Sequence, residues 1–293
     1  MGIVHIIGAG VAGLACAVRC ALGGQTVALY ETAPRAGGRA RSFEDEGLGC
    51  LIDNGNHLVL SGNGSVKAFL GDTGGSRQLT EIAPASFPFI EPASQLRWRL
   101  RPGRGPLPLW LLSSRRRVPG SQFGDYRDIV ALARAKPSDT VATCVDTSSV
   151  LFERLWQPLA RAILNTDARE GSAQLLWKAL SLTIAKGEAA CRPLVFSRGL
   201  SAALVAPALK TIREHGGMVR YQARLRGIRW QDDRVLALRF SEGLLRVEDG
   251  DAVVLAVPPE ACEELWPAAE PPRETRPIVN VHYRLGEPVA LPG

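Results

Sequence analysis

The sequence lacks paired cysteines and long apolar runs. Its six cysteines are scattered, and none of them belongs to a C-x-x-C pair. This spacing argues against a disulfide framework and against a zinc site, and it favours a reducing compartment. No uncharged apolar stretch approaches the roughly 18 residues that a membrane-spanning helix needs. We therefore expect a cytoplasmic protein without a bound metal.

Two kinds of basic segment are also missing. No basic region precedes the apolar N-terminus and glycines interrupt that apolar run, so we expect no signal peptide. No basic motif with interleaved aromatic residues occurs, so we expect no nucleic-acid partner. The net charge of +6 comes mostly from arginine. A modest excess of this kind favours anionic ligands or a membrane surface.

What the chain does contain is a glycine-rich turn between a predicted strand and a predicted helix. The apolar run 3–7 is followed by Gly8, Gly10 and Gly13 in the spacing G-x-G-x-x-G, and then by a helical pattern. Gly8 permits a tight turn, Gly10 lets the backbone approach a pyrophosphate, and Gly13 lets helix and strand pack closely. The N-terminus of the helix would bind the phosphates through its unpaired N–H groups.

An acidic residue follows the fingerprint at the distance expected for a ribose-binding carboxylate. The second apolar run, residues 26–30, ends at Glu31, and the spacing of about 20 residues from the glycines suits the ribose of an adenosine. Strand, glycines, helix, strand and acid together predict a dinucleotide-binding unit.

A pair of adjacent glycines follows the acid. Gly37 and Gly38 fit a surface turn, or they let the backbone pass beside the cofactor. Arg39 or Arg41 then offers donors to a phosphate or to an anionic ring.

The order of the predicted elements indicates an α/β protein with two lobes. Residues 1–75 and 196–260 would form a discontinuous, doubly wound Rossmann-like dinucleotide-binding domain, because the apolar run 251–257 is typical of a buried parallel strand. Residues 76–195 alternate proline-rich turns with apolar pieces and would form an inserted α+β substrate domain. Residues 261–293 would begin the second part of that substrate domain.

Several motifs beyond the fingerprint match a known group of flavoenzymes. The fingerprint, Glu31, the glycine pair with Arg39, and the motif Asp53-x-Gly55 together resemble the superfamily of FAD-dependent amine oxidases and carotenoid-type desaturases. The segment 52–63 is similar to the squalene-associated flavoenzymes, the hydroxysqualene dehydroxylases of hopanoid biosynthesis. Further matching segments lie at 116–120, 153–159, 164–166, 191–194 and 197–204. The resemblance covers essentially the whole chain.

This resemblance implies FAD as the cofactor and assigns residues to each part of it. The residues implied to wrap the pyrophosphate are Gly8, Gly10, Val11, Ala12 and Gly13. The residues implied to meet the rest of FAD are Glu31 at the adenosine ribose, Arg39 at the phosphates or flavin edge, Gly55, Asn56 and His57 along the isoalloxazine, and the backbone of Leu225 at the adenine.

The resemblance also implies a reaction, which is the reductive removal of the allylic hydroxyl of hydroxysqualene to give squalene. Such a reaction needs a proton for the leaving hydroxyl, a water-poor pocket for an allylic cation, and a hydride from reduced flavin. His57 is the candidate acid, because it is the titratable side chain within the segment implied to lie beside the ring; the alternative is that it only packs there. The partners would be an isoprenoid lipid substrate and an external electron donor such as NADPH.

The sequence leaves three alternatives to this reaction open, two other activities and the absence of activity. A polyene desaturase would move hydride from substrate to oxidised flavin, and an amine oxidase would do the same before passing electrons to oxygen. The third is an inactive fragment, because the C-terminal Gly-Asp and Glu-Gly pattern that cups the flavin in this superfamily is not found here. We therefore expect a C-terminally truncated chain, whose last described pattern, 278–285, predicts a strand.

A membrane-facing surface is a further hypothesis. The apolar and tryptophan positions in 107–112 would line a lipid entry, or they would pack in the core. They adjoin Arg115, Arg116 and Arg117, and an apolar segment beside basic residues suits peripheral docking on the inner face of the membrane. A solvated cluster of arginines is the alternative.

Overall fold

The computed structural model describes residues 2–55 and 57–287 of the chain. In chain order, the strands are β1 (Ile3–Ile7), β2 (Thr26–Tyr30), β3 (Ser42–Asp45), β4 (Cys50–Asp53), β5 (Val59–Leu60), β6 (Leu79–Glu81), β7 (Phe87–Glu91), β8 (Leu96–Leu100), β9 (Pro193–Phe196), β10 (Met218–Arg220), β11 (Leu225–Gln231), β12 (Arg234–Phe240), β13 (Gly243–Arg246) and β14 (Ala252–Leu255). The α-helices are α1 (Val11–Leu22), α2 (Gly64–Thr73), α3 (Asp128–Ala133), α4 (Val141–Cys144), α5 (Gln157–Leu164), α6 (Ala173–Leu182), α7 (Ala206–Glu214) and α8 (Pro259–Leu265).

A parallel sheet with the strand order β10–β2–β1–β14 carries the glycine-rich turn. Strand β1 lies between its partners, with Ile7 opposite Tyr30 of β2 and opposite Leu255 of β14. The two strands from the last third of the chain thus complete a sheet begun by the first thirty residues. The predicted α/β, Rossmann-like fold is confirmed.

Both faces of this sheet are covered, which explains why β1 and β2 are almost continuously apolar. Successive side chains of a strand point to opposite faces. Ile6 and Leu29 are fully buried in a hydrophobic cluster that includes residues of α1 and α7. Ile7 and Tyr30 pack on the other face against the antiparallel sheet β11–β12–β13, where the Tyr30 and Phe240 ring centroids are 4.7 Å apart.

A buried polar group fastens β1 to the residue before β14. Asp251 Oδ1 accepts a hydrogen bond from the Ile3 N–H at 2.6 Å, and Oδ2 accepts one from the Glu248 N–H at 2.9 Å. The ring Nε2 of His5, a side chain that is only 3% exposed, lies 3.3 Å from Asp251 Oδ2. The Ile3 N–H, followed by the Glu248 N–H and His5, holds the pKa of Asp251 below its usual range.

Replacing this carboxylate, Asp251→Asn, should destabilise the protein by about 1–3 kcal/mol at neutral pH, because an amide cannot accept all of these hydrogen bonds. A depressed carboxyl pKa contributes stability above the unfolded-state pKa of about 3.9 and loses it as the pH falls through the folded-state pKa. The difference in unfolding free energy between wild type and variant should therefore be largest above about pH 4 and become smaller below it. Urea unfolding of both proteins across this range measures it, and a pH-independent difference would contradict the assignment.

A second hydrophobic cluster lies in the middle of the chain. It runs from Leu100 to Leu180 and includes the buried side chains of Trp110 and Trp156. The helix predicted over 150–164 forms, with the π-helical turn Phe152–Trp156 leading into α5. The helix predicted over 172–186 ends at Leu182 and continues as a short 3₁₀ turn.

The strand predicted at 278–285 is wrong. Residues 271–285 have no regular secondary structure, and their apolar side chains are exposed, with Val279 at 84% and Tyr283 at 80%. An apolar alternation forms a strand only where a neighbouring strand accepts its backbone hydrogen bonds, and the described residues provide none at this position. The strand predicted at 251–257 exists as the shorter β14, and its residues are exposed or half-buried where full burial was expected.

Within residues 2–55 and 57–287, the helices are all too short or too polar to cross a bilayer.

Candidate cofactor site

Two of the fingerprint glycines are required by the packing of the turn itself. Gly8 has φ +105°, and a Cβ atom on it would lie 2.4 Å from the Ala256 carbonyl oxygen. A Cβ atom on Gly13 would lie 1.8 Å from the Gly8 carbonyl oxygen. Both distances are far below van der Waals contact, so the turn and the start of α1 approach too closely for any side chain at either position.

Gly10 differs from these two glycines because a Cβ atom on it would meet nothing within 4 Å. It precedes α1 as the N-cap and supplies no side-chain cap. The N–H groups at the start of α1, beginning with Val11 and the exposed Ala12, have no acceptor within the helix and lie beside this open space at Gly10. A helix N-terminus of this kind, approached over bare backbone, binds phosphate groups.

Glu31 is held in place by the backbone on both sides of it. Its Oε2 accepts a hydrogen bond from the Ala9 N–H and its Oε1 accepts one from the Ala33 N–H, each at 2.8 Å. A carboxylate has about four acceptor positions, so each oxygen keeps one for a further donor. The side chain is half-buried and lies next to the glycine-rich turn, which is the geometry that a ribose diol requires.

The glycine pair packs directly on the fingerprint turn. Gly37 donates its N–H to the Ala9 carbonyl at 2.8 Å and pairs with Gly10 as an isolated parallel bridge. A Cβ atom on Gly38 would lie 3.2 Å from the Gly10 Cα, and both glycines have positive φ values, +112° and +54°. The pair therefore lies against the fingerprint turn, and its contact with a cofactor stays a prediction.

Arg39 follows the pair and is exposed. Its carbonyl accepts a hydrogen bond from Asn54 Nδ2 at 3.0 Å. Within the described part of the chain its guanidinium has no hydrogen-bond or ion-pair partner, so five donors stay available beside the glycine-rich turn.

The segment implied to face the flavin ring is only partly described. Gly55 has φ +95°, and a Cβ atom there would lie 3.0 Å from Asn280 Nδ2. His57 is exposed, and its Nε2 lies 3.2 Å from the Asn54 carbonyl, which makes Nε2 the donor. Asn56 lies outside the described residues.

Leu225 lies at the start of β11, away from the fingerprint turn in sequence but against the same sheet. It is opposite Phe240 and is 7% exposed, in the cluster that contains Tyr30. Its side chain is therefore part of the core, which leaves its backbone as the part that can meet a ligand.

The sequence analysis missed a polar network that joins strands β3 and β4 to the π-helical turn Ser201–Val205, which precedes α7. Asp53 Oδ1 accepts hydrogen bonds from Ser42 Oγ at 2.5 Å and from the Leu200 N–H at 2.9 Å. Ser42 and Ser201 exchange two further hydrogen bonds, of 2.7 and 3.0 Å, between hydroxyl and backbone N–H. A Cβ atom on Gly199 would lie 2.7 Å from Ser42 Oγ, so glycine is required there. The motifs around residues 53 and 199 signalled importance, but no local pattern predicts that they meet.

The residues present fit FAD. The uncapped N-terminus of α1 with open space at Gly10 suits a pyrophosphate, and the fixed Glu31 carboxylate suits a ribose. A side chain at Gly10 would fill that space. The fold and this site define an FAD-binding oxidoreductase of the Rossmann type.

Comparisons with known proteins agree. The model of the flavin-containing amine oxidoreductase family matches residues 11–291. Two solved structures have the same fold: an oxidoreductase from Methanosarcina mazei, with a TM-score of 0.62 at 14% identity, and cyclohexylamine oxidase from Brevibacterium oxydans, with a TM-score of 0.61 at 20% identity. They align with 91% and 90% of this chain, which spans 61% and 59% of theirs. FAD, predicted from the sequence, is confirmed as the cofactor of this class.

Among curated sequences, the hydroxysqualene dehydroxylase of Rhodopseudomonas palustris is 42% identical over 99% of this chain, and that of Sinorhizobium fredii is 41% identical over 98%. The chain spans 69% of the length of each relative. A probable zeta-carotene desaturase of Synechococcus elongatus is 26% identical, with 55% of its length covered. The chain belongs to the hydroxysqualene dehydroxylase family.

Proposed function

We propose that the protein is an FAD-dependent oxidoreductase that removes the allylic hydroxyl of hydroxysqualene to give squalene. The observation that carries this proposal is the identity of 42% to a hydroxysqualene dehydroxylase across nearly the whole chain. The identity to the carotenoid-type desaturase is much lower, at 26%, which favours the dehydroxylase over the polyene desaturase.

Different residues of the cofactor site would bind different parts of FAD. Gly10 and the N–H groups of Val11 and Ala12 would contact the pyrophosphate, while Glu31 would accept the ribose hydroxyls. Arg39 would use its exposed guanidinium for the phosphates or the flavin edge. We also keep the division of the chain at residues 75, 195 and 260 into cofactor and substrate segments, which the separate hydrophobic clusters support.

The proton for the leaving hydroxyl would come from His57. Its ring is exposed and Nε2 donates to the Asn54 carbonyl, which leaves Nδ1 available to a substrate. The ring would give up a proton from Nδ1 in its doubly protonated form, because in the neutral ring the one proton stays on Nε2. Bound FAD, once reduced by an external donor, would supply the hydride. NADPH is the donor that we would test first.

An apolar cavity in the second lobe supports a lipid substrate. It has a volume of about 220 Å³ and is lined mainly by large apolar side chains, including Trp110, Trp156, Trp177, Leu155 and Leu159. Pockets that enclose a whole drug-sized ligand occupy about 300–1,000 Å³. This cavity would therefore take a terminal part of an isoprenoid chain.

A peripheral membrane contact is the second part of the proposal. Trp110 and Leu111 are buried, whereas Leu107, Leu109 and Leu112 are 65–68% exposed, beside the arginines at 115–117. We define these three leucines as the leucine surface. Exposed leucines next to basic residues suit insertion into an anionic membrane.

The leucine surface is tested by co-sedimentation with vesicles that contain phosphatidylglycerol. Leu107→Ser with Leu109→Ser should reduce the bound fraction several-fold, because apolar burial is lost. Leu175→Ser with Leu244→Ser is the matched control, since those side chains are also 62% and 52% exposed. Equal binding by both double variants would remove the membrane contact from the proposal.

The reaction is tested by anaerobic incubation of the FAD-loaded protein with hydroxysqualene and a reductant, followed by detection of squalene by mass spectrometry. His57→Gln should keep the flavin spectrum and lose turnover, whereas His215→Gln should keep both. Oxygen consumption with amines would indicate the amine oxidase instead. Desaturation of a polyene by the oxidised protein would indicate the desaturase. Failure to take up FAD would indicate an inactive fragment.

A further inference from the structure

The segment between Glu91 and Asp125 has an unusual charge distribution. It contains seven arginines and no acidic residue. In the described part of the chain none of these seven guanidiniums forms an ion pair. In contrast, Arg154 and Arg192, which lie close to this segment in space, are paired with carboxylates. The positive charge of the segment therefore has no ion-pair partner among residues 2–55 and 57–287.

Four of the seven arginines converge on one cleft of about 670 Å³. Arg99 belongs to strand β8 of the hairpin β7–β8 and lines the cleft. Arg101 and Arg104 follow that hairpin in the chain and line the cleft as well. Arg116 completes the group and is fixed by donating to the Arg101 carbonyl at 3.0 Å. We call these four residues and their cavity the arginine cleft.

The one acidic residue of the arginine cleft does not offset this charge. Glu188 accepts hydrogen bonds from Arg192 Nε and Nη2 at 2.9 and 3.0 Å, and from the Ala85 N–H at 2.9 Å. The Arg192 hydrogen bonds contribute most to holding the pKa of Glu188 below its usual range. Arg192 pairs with Glu188 and also with Glu81, so it offsets only part of the Glu188 charge. The four cleft arginines outnumber this one carboxylate, so the cleft keeps a net attraction for an anion.

A buried hydroxyl provides an independent indication of a ligand. Ser86 lines the arginine cleft, and its Oγ is buried without a hydrogen-bond partner among the described residues. Buried polar atoms are normally satisfied, so an unpaired one at a cavity wall suggests that something else completes it. A serine hydroxyl beside several guanidiniums is a donor set suited to phosphate oxygens.

We propose that the arginine cleft, with Ser86, is a binding site for a phosphate ester or diphosphate group. Guanidiniums bind phosphates through paired N–H donors, and four of them can neutralise a group that carries more than one charge. The phosphate belongs either to a lipid that the leucine surface reaches or to a free metabolite. This proposal does not rest on the proposed dehydroxylation reaction. Binding of a phosphate group to the arginine cleft is measured in the absence of turnover.

The experiment is isothermal titration of the full chain with two probes, inorganic pyrophosphate and the soluble short-chain lipid dihexanoylphosphatidic acid, in moderate salt. Wild type should bind at least one probe saturably at one site. Arg101→Gln with Arg104→Gln should weaken that binding about tenfold or more, since charge-assisted donors are lost. These two side chains are exposed and form no hydrogen bond within the described residues, so the unfolding midpoint should not change.

The matched control is Arg134→Gln with Arg213→Gln, which removes the same charge from exposed positions outside the cleft. Ser86→Ala should weaken the binding of the same probe to a smaller degree. Tighter binding of the lipid probe would identify a lipid source, and equal or tighter binding of pyrophosphate would identify a free phosphate. Absence of saturable binding of either probe, or equal weakening by the control pair, would overturn the site. Loss of squalene formation with binding intact would concern the proposed function alone.

Discussion

Gly10→Ala should weaken FAD binding about 100-fold, or ~2.7 kcal/mol, while leaving the folded chain as stable as wild type. The structure separates the two effects, because the new Cβ atom would meet no protein atom within 4 Å. The same atom would project into the space that a pyrophosphate needs to approach the N-terminus of α1. The backbone at Gly10 has φ −69° and ψ 178°, which alanine adopts without strain.

Two measurements test this expectation. Equilibrium dialysis against FAD gives the bound cofactor, as the flavin absorbance of the protein solution in excess of the dialysate. Thermal unfolding of the FAD-free chain gives the stability. A Gly10→Ala protein that keeps FAD with unchanged affinity would show that the pyrophosphate lies elsewhere. A protein that loses stability without FAD would show that the open space at Gly10 is not present in solution.

Gly13→Ala should have the opposite profile and strongly destabilise the fold. Its Cβ atom would lie 1.8 Å from the Gly8 carbonyl oxygen, which is backbone and cannot rotate away. Inserting a methyl group into a packed region commonly costs about 1–3 kcal/mol. We expect a loss at or above the top of that range, because α1 must shift against β1 to accept the methyl group. FAD binding should be lost together with the fold.

The control for Gly13→Ala is Gly71→Ala in α2, where the new Cβ atom would meet nothing within 4 Å. Alanine is favoured over glycine in a helix by about 0.5–1 kcal/mol, so this variant should be as stable as wild type or slightly more stable. Far-ultraviolet circular dichroism with urea titration compares the two. Equal stability of both variants would contradict the close approach of α1 to the glycine-rich turn.

The sequence by itself determined the unit that begins the chain. Apolar runs, glycine spacing and the acid at residue 31 are local features, and a strand–turn–helix–strand unit is built from contacts between neighbours in sequence. The order of the predicted elements then indicated the α/β fold class, and the family resemblance implied FAD as the cofactor. These predictions depend on short-range patterns, so they hold without knowledge of the remaining packing.

Only the tertiary structure decided which distant residues meet. The contact of the Gly37–Gly38 backbone with Gly10, the network of Asp53 with Ser201, and the convergence of four arginines on one cleft all join separate segments. The failed strand at 278–285 has the same origin, because a strand is stabilised by its neighbours in the sheet and its own pattern cannot supply them. Local periodicity fixes which residues can form an element, whereas packing over long sequence distances fixes whether the element forms and what its side chains face.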